Sequence, residues 1–205
     1  MSMQPTVFVV DDEPAVRDSL RALLDTYGFA VETYASGAEF LDRVDRARPG
    51  CLVADVRMPG MSGIELQREL TSRDIPLPVI VITGHGDVPM AVDALKTGAI
   101  DFFEKPLDDE ALVSSIKQAL DRDQRSRTQG EELSALTARR GRLTGRESEV
   151  MDLIVDGFAN NVVAERLGIS ARTVEHYRAN IMQKMEASSF AHLVRMAIKL
   201  GRRDA

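Results

Sequence analysis

Residues 7–14 read Val-Phe-Val-Val-Asp-Asp-Glu-Pro. Four apolar residues, three of them β-branched, end on acids and a proline. A short run with no polar alternation suits a strand covered on both faces. After the proline come Val16, Leu20, Leu23, Leu24 and Tyr27, a spacing that collects on one face of a helix. The same strand-then-helix alternation continues outward from here. Apolar runs fall at Thr6–Val10, Ala30–Tyr34, Cys51–Ala54, Val79–Thr83 and Ile100–Phe103. Strands separated by helices of this length pair in parallel through right-handed crossovers. The pattern predicts a five-stranded, doubly wound α/β domain with a parallel sheet and five helices.

In open parallel sheets, ligands bind beyond the carboxyl ends of the strands. Those ends carry Asp11 and Asp12 after the first run, Asp55 after the third, Thr83 on the fourth and Lys105 after the fifth. Three carboxylates gathered this closely repel each other unless a cation sits among them. A hard divalent ion answers that need. Mg²⁺, or Mn²⁺ in its place, takes oxygen ligands and keeps some water, so two or three carboxylates suffice. Such an ion also neutralises an incoming phosphoryl group, and Asp55 is then placed to act as a carboxylate nucleophile. Lys105 adds a compact positive charge and Thr83 a hydroxyl donor. An aspartate after a strand is, taken alone, more often only a helix N-cap; three acids, a hydroxyl and a lysine together at four strand ends make that reading poor. His85 reads as a surface-loop histidine. Met58 and Met61 read as packing around a Pro-Gly turn, and Cys51 as a small buried core residue.

Beyond residue 120 the strand signal stops. Residues 121–141 are polar with little apolar periodicity and read as a linker, helical in part and fraying near Gly130. Thr144-Gly-Arg-Glu147 has the form of a capping box. Gly157, Gly168 and Ala187–Ser189 punctuate the helices that follow. In residues 159–185, a helix of about Asn161 to Leu167, a Gly168-Ile-Ser170 turn and a second helix form a helix-turn-helix. At 100° per residue, Val174, Tyr177, Ile181 and Met185 face inward. Arg172, His176, Ala179 and Gln183 face outward, flanked by Thr173, Glu175 and Asn180. Such a face can read base edges in the major groove. Arg178 and Lys184 lie nearer the packing boundary, within reach of phosphates.

Composition supports this division. The chain has 205 residues and a net charge of −6. Residues 1–122 hold 21 acidic and 12 basic side chains, whereas residues 142–205 hold 8 and 10. An acidic front and a mildly basic back point to two units with different partners. We therefore expect a domain over 1–122, a linker over 123–141 and an all-α four-helix domain over 142–205. One cysteine excludes an internal disulfide. No apolar run is long enough to span a membrane, and the N-terminus lacks a signal-peptide pattern. Together these point to the cytoplasm.

The stretches VFVVDDEP, LVADVRMPGMSGIEL, VIVITGHGDV and GAIDFFEKP resemble the four signatures of the receiver domain of two-component response regulators. Residues 143–185 resemble the LuxR-type four-helix DNA-binding domain, and the pairing resembles the NarL/FixJ family. RTVEHYRANIMQKM, HLVRMAIKLG and GHGDVPMAV are similar to the FixJ branch. The resemblance implies that Asp55 is the phosphoacceptor. It implies that Asp11, Asp12, Asp55 and the backbone carbonyl of Arg57 hold the metal, and that Thr83 and Lys105 bind the phosphoryl group. Phe102 stands where the family has its aromatic switch, and the Lys105–Pro106 bond is cis in the family. It also implies a sensor histidine kinase and double-stranded DNA as partners, homodimers on phosphorylation, and RNA polymerase as a candidate contact. Asn161 stands where family members often carry a lysine, which removes one phosphate contact. The last helix, Ser189 to Leu200, has an apolar arc wide for one core face; in the family it mediates dimers.

Two rival readings differ at particular residues. Haloacid-dehalogenase-type phosphatases also use a strand-end aspartate with Mg²⁺, but need a second acid two residues later, where this chain has Arg57. A constitutive DNA-binding regulator with an unphosphorylated receiver would not need the complete set of acids, threonine and lysine.

Overall fold

The computed structural model describes residues 4–84 and 88–201. His85 lies outside the described residues. The chain divides into two compact units, residues 1–126 and 127–205.

In the first unit β1 (Thr6–Val10), β2 (Ala30–Tyr34), β3 (Gly50–Asp55), β4 (Val79–Thr83) and β5 (Asp101–Glu104) form one sheet in the order β2-β1-β3-β4-β5, every pair parallel. The expected edges of β3 and β5 shift by a residue. Ile100 precedes β5 but still donates its N–H to Val79. Two apolar cores cover the two faces, because successive strand residues point to opposite sides. Phe8, Val10, Leu52, Ala54 and Val81 pack with Phe40 of α2 (Gly37–Arg43), Leu66 and Leu70 of α3 (Gly63–Ser72) and Ala94 of α4 (Val88–Lys96). Val7, Val9, Val53, Ile80 and Ile82 pack with Leu20 and Leu24 of α1 (Pro14–Thr26) and Leu112 and Ile116 of α5 (Asp109–Arg140). Cys51 is buried in the second core, as expected, and burial pushes its thiol pKa far up.

The second unit holds α6 (Gly145–Val155), α7 (Asn160–Leu167), α8 (Ala171–Lys184) and α9 (Phe190–Gly201). Its core joins Val150, Met151, Ile154, Val163, Val174, Ile181, Met185, Leu193 and Met196. Leu136 of α5 is buried in this core and Leu133 packs against it. The stretch read as a polar linker is thus helical, and part of it belongs to this unit. The expected fray at Gly130 does not occur, since α5 continues to Arg140. One glycine inside a long helix costs only about 1 kcal/mol.

The caps follow the local sequence. Thr144 and Glu147 form the reciprocal capping box at the start of α6. Gly168 closes α7 at φ 65°, a left-handed position that favours glycine. Ser170 Oγ then accepts the N–H of Thr173 at 3.0 Å and starts α8.

Candidate functional site

Because β1 and β3 are adjacent and in register from Thr6↔Gly50 to Val10↔Ala54, Asp11 and Asp55 leave the sheet side by side. Asp11 is 0% exposed and Asp55 4%. β5 returns beside β4, and the N–H of Lys105 donates to the carbonyl of Thr83 at 2.7 Å. That bond places the Lys105 ammonium between the two acids. It donates to Asp11 Oδ2 at 2.9 Å and to Asp55 Oδ1 at 2.8 Å. The other Asp55 oxygen accepts the N–H of Arg57 at 2.6 Å. Asp11 Oδ1 accepts the N–H of Glu13 at 2.9 Å, and the Asp11 carbonyl accepts from Arg17 at 2.6 Å. Thr83 is buried, Asp12 half-buried, and Phe102 packs at the margin of the core. The Lys105–Pro106 bond is cis.

Gly63 lets α3 approach this edge. A Cβ there would lie 2.4 Å from the Asp55 carbonyl oxygen, so no larger residue fits without moving backbone. Met58 is buried beside the site and Met61 packs against the same core, so both are packing residues.

The electrostatics follow from burial and count. Burial pushes the Asp55 carboxyl above its ordinary range; Lys105 pulls it back without cancelling the rise, and Asp11 adds to it. For Lys105 burial works downward, but the hydrogen bonds to Asp11 and Asp55 overcome it and hold the ammonium above its usual value. Two buried carboxylates thus face one ammonium. This all-oxygen, under-neutralised donor set suits a hard divalent cation. Among the described residues no three Asp, Glu, His or Cys side chains gather as a ready metal-holding group. The structure brings Asp11, Asp55 and Lys105 into contact and leaves Asp12 at the side.

On α8 the division of faces matches the helical projection. Val174, Ile181 and Met185 are buried and Tyr177 partly so, while Arg172, Glu175, His176, Ala179 and Gln183 are exposed. Thr173 and Asn180 are intermediate. His176 Nε2 lies 3.4 Å from Asn180 Nδ2. The two flanking cations are engaged within the domain. Lys184 Nζ donates to Glu147 Oε2 at 2.6 Å, and Arg178 Nη1 to Asn160 Oδ1 at 3.0 Å. The sequence puts Lys184 within reach of phosphates; in the structure it neutralises a buried glutamate. The capping box marks Glu147 at the third helical position, but nothing in the spacing shows that Lys184, 37 residues on, would meet it.

The family described as response regulator receiver domain matches residues 7–117, and bacterial regulatory proteins of the luxR family match residues 142–197. The chain belongs to the FixJ-like response regulators. It is 49% identical over 195 residues to the transcriptional regulatory protein FixJ of Azorhizobium caulinodans, covering 95% of this chain and 92% of that protein. Among solved structures it is similar to the response regulator StyR, with a TM-score of 0.88, 46% identity and coverage of 96% of this chain and 100% of that one. Full-length FixJ from B. japonicum is similar at a TM-score of 0.59 and 41% identity, covering 98% of each chain. This response regulator is therefore a transcription regulator with a receiver domain and a LuxR-type DNA-binding domain. That architecture implies a sensor kinase and DNA as its partners. Receiver domains generally bind Mg²⁺ at the phosphorylation site. No helix among the described residues is long and apolar enough to cross a membrane.

Proposed function

We propose that Asp55 accepts a phosphoryl group from a sensor histidine kinase, and that this drives dimerisation and binding to specific DNA. The observation that carries the reading is the Lys105 ammonium held 2.8 Å from Asp55 and 2.9 Å from Asp11 at the carboxyl edge of the sheet. An Asp55 oxygen attacks phosphorus as the bond from phosphorus to the kinase histidine nitrogen breaks. Lys105 then turns from its two carboxylates toward the new phosphoryl oxygens, and the Thr83 hydroxyl donates to another. Asp11, Asp12, Asp55 and the Arg57 carbonyl would hold Mg²⁺ or Mn²⁺, which when bound would neutralise charge on the phosphoryl group. The chain catalyses only its own phosphorylation and dephosphorylation, within the cytoplasm. Residues 1–122, 123–141 and 142–205 serve as receiver, connector and DNA-binding domain. On the DNA side, Arg172, Thr173, Glu175, His176 and Asn180 read bases and Arg178 grips phosphate. RNA polymerase is a candidate contact of the DNA-bound dimer.

Acetyl phosphate, with and without EDTA, tests the first step. Intact mass is expected to show one added phosphoryl group only with metal present and Asp55 intact. Labelling that survives Asp55→Asn overturns the assignment. Movement of Thr83 toward the phosphoryl group draws Phe102 inward and remodels the surface around Val92, Lys96 and Asp101, where Val92 and Leu95 are exposed. Sedimentation of the phosphorylated and unmodified forms reads the second step. Equal masses across a wide concentration range would remove dimerisation from the scheme.

A further inference from the structure

Three side chains from three helices meet on the flank of α8. Arg178 Nη1 donates to Asn160 Oδ1 at 3.0 Å. Its guanidinium carbon lies 4.9 Å from the centre of the Phe190 ring. Asn160 opens α7 and Phe190 opens α9. Both partners are neutral. Lys184 shows the opposite arrangement, its charge matched by Glu147 at 2.6 Å. Arg178 is thus fixed in place while keeping its whole charge. Phe190, 39% exposed, is a large aromatic at the surface, and its ring face gives the guanidinium a platform.

We propose that Asn160 and Phe190 are positioning residues that pre-organise Arg178 for a backbone phosphate of DNA. The inference rests on the reading of α8 as the DNA-reading helix. A free arginine side chain gives up its rotamer freedom when it grips a ligand, and that loss weakens binding. A guanidinium already held by an amide oxygen and a ring has given it up in the unbound protein. One of its five N–H donors is used on Asn160, and the rest remain for a phosphate.

The test is fluorescence anisotropy of the full chain on a selected DNA site and a scrambled one, at several salt concentrations. Arg178→Ala is expected to weaken both DNAs alike and to reduce the slope of log K against log salt by about 0.9. Asn160→Ala and Phe190→Leu should each weaken both DNAs by about three- to ten-fold. Phe190→Tyr keeps the ring face and should bind like the parent chain. The decisive variant is Asn160→Ala combined with Arg178→Ala, which should bind no more weakly than Arg178→Ala alone. An undiminished Asn160→Ala loss in that background overturns the positioning role, because Asn160 would then act by itself. Silent Asn160→Ala and Phe190→Leu beside a flattened slope for Arg178→Ala overturn it too, and leave the phosphate reading intact. An unchanged slope for Arg178→Ala removes the phosphate contact, and the positioning role with it.

Discussion

The two ends of this regulator handle positive charge in opposite ways. At the receiver edge, Lys105 is shared by two carboxylates that are almost fully buried. On α8, Arg178 is held by neutral groups and Arg172 is exposed. A site proposed to take a phosphoryl group on one carboxylate, with others to hold a divalent cation, gathers acids and is left short of positive charge. A surface that grips a polyanion works best with cations that nothing has neutralised. Lys184 crosses this division. It lies on α8, the helix proposed to read DNA, but its charge is used inside the fold.

The largest expected effect breaks the receiver side. Asp55→Asn should abolish labelling by acetyl phosphate and at the same time stabilise the unlabelled chain near neutral pH. Burial raises the Asp55 pKa in the fold. A raised carboxyl contributes its stability fully below the unfolded pKa and loses it as pH rises through the folded value. At neutral pH the ionised group therefore works against the fold. Asparagine removes that charge and leaves Lys105 and Asp11 as a balanced pair. The gain should be roughly 0.5–2 kcal/mol, measured as a higher midpoint in receiver-specific amide exchange, and it should shrink toward acid pH. A loss of stability at neutral pH would mean that Lys105 more than compensates both acids.

The next effect probes the exception. Glu147 accepts both the Lys184 ammonium at 2.6 Å and the Thr144 N–H at 2.7 Å. Lys184 and the Thr144 N–H hold its carboxyl below the ordinary range. A lowered carboxyl contributes stability above the unfolded pKa and loses it as pH falls through the folded value. Glu147→Ala removes a helix cap and one partner of a half-buried pair. It should destabilise the DNA-binding unit by about 2 kcal/mol at neutral pH, and by less in acid. Amide exchange in α6 and α8 reads this, with receiver amides as the internal control. Equal losses at both pH values would assign the effect to packing alone.

Much of this arrangement was legible in the sequence, and the rest was hidden for definable reasons. The apolar runs around Val7–Val10 and Val79–Ile82 located the sheet, and reading each strand end located Asp11, Asp55, Thr83 and Lys105. Period 3.6 divided α8 into the faces the structure has. Long-range ion pairs leave no such period. Glu132 and Arg139 fall in the stretch read as a polar linker, yet they reach Lys199 and Glu186 at 2.6 Å each. Leu133 and Leu136 are a single i, i+3 step, too short to register as a face, but they join the second core. The ammonium between Asp11 and Asp55 depends on how β5 returns to β4, a property of the assembled sheet.

A smaller effect sharpens the DNA side. His176 is exposed at the middle of the outward stripe, and its ring contacts Asn180. His176→Ala should leave the salt slope unchanged and reduce the preference for the selected site over a scrambled one by about 1–2 kcal/mol. Equal loss on both DNAs would mean that the stripe grips without reading. Lys184→Ala, by contrast, should flatten the slope less than Arg178→Ala, because Glu147 already neutralises it.

The smallest effect concerns the stretch of α5 that has neither kind of support. Nearly every residue from 124 to 132 is exposed, with no buried acid like Asp123 and no core residue like Leu136. No apolar face is packed there, so helix in such a stretch draws more on intrinsic propensity and polar contacts than the packed ends of α5 do. Gly130 is the weakest residue in it. A Cβ added there would meet nothing within 4 Å, so alanine brings no clash. Gly130→Ala should therefore stabilise the local helix by about 0.5–1 kcal/mol. Amide exchange across the exposed stretch should slow by roughly two- to five-fold, and exchange in β3 and α8 should not change. Unchanged or faster exchange would mean that this stretch is not helical in solution. Residues 123–141 would then be the polar connector that their composition suggests, with helix confined to the two packed ends of α5.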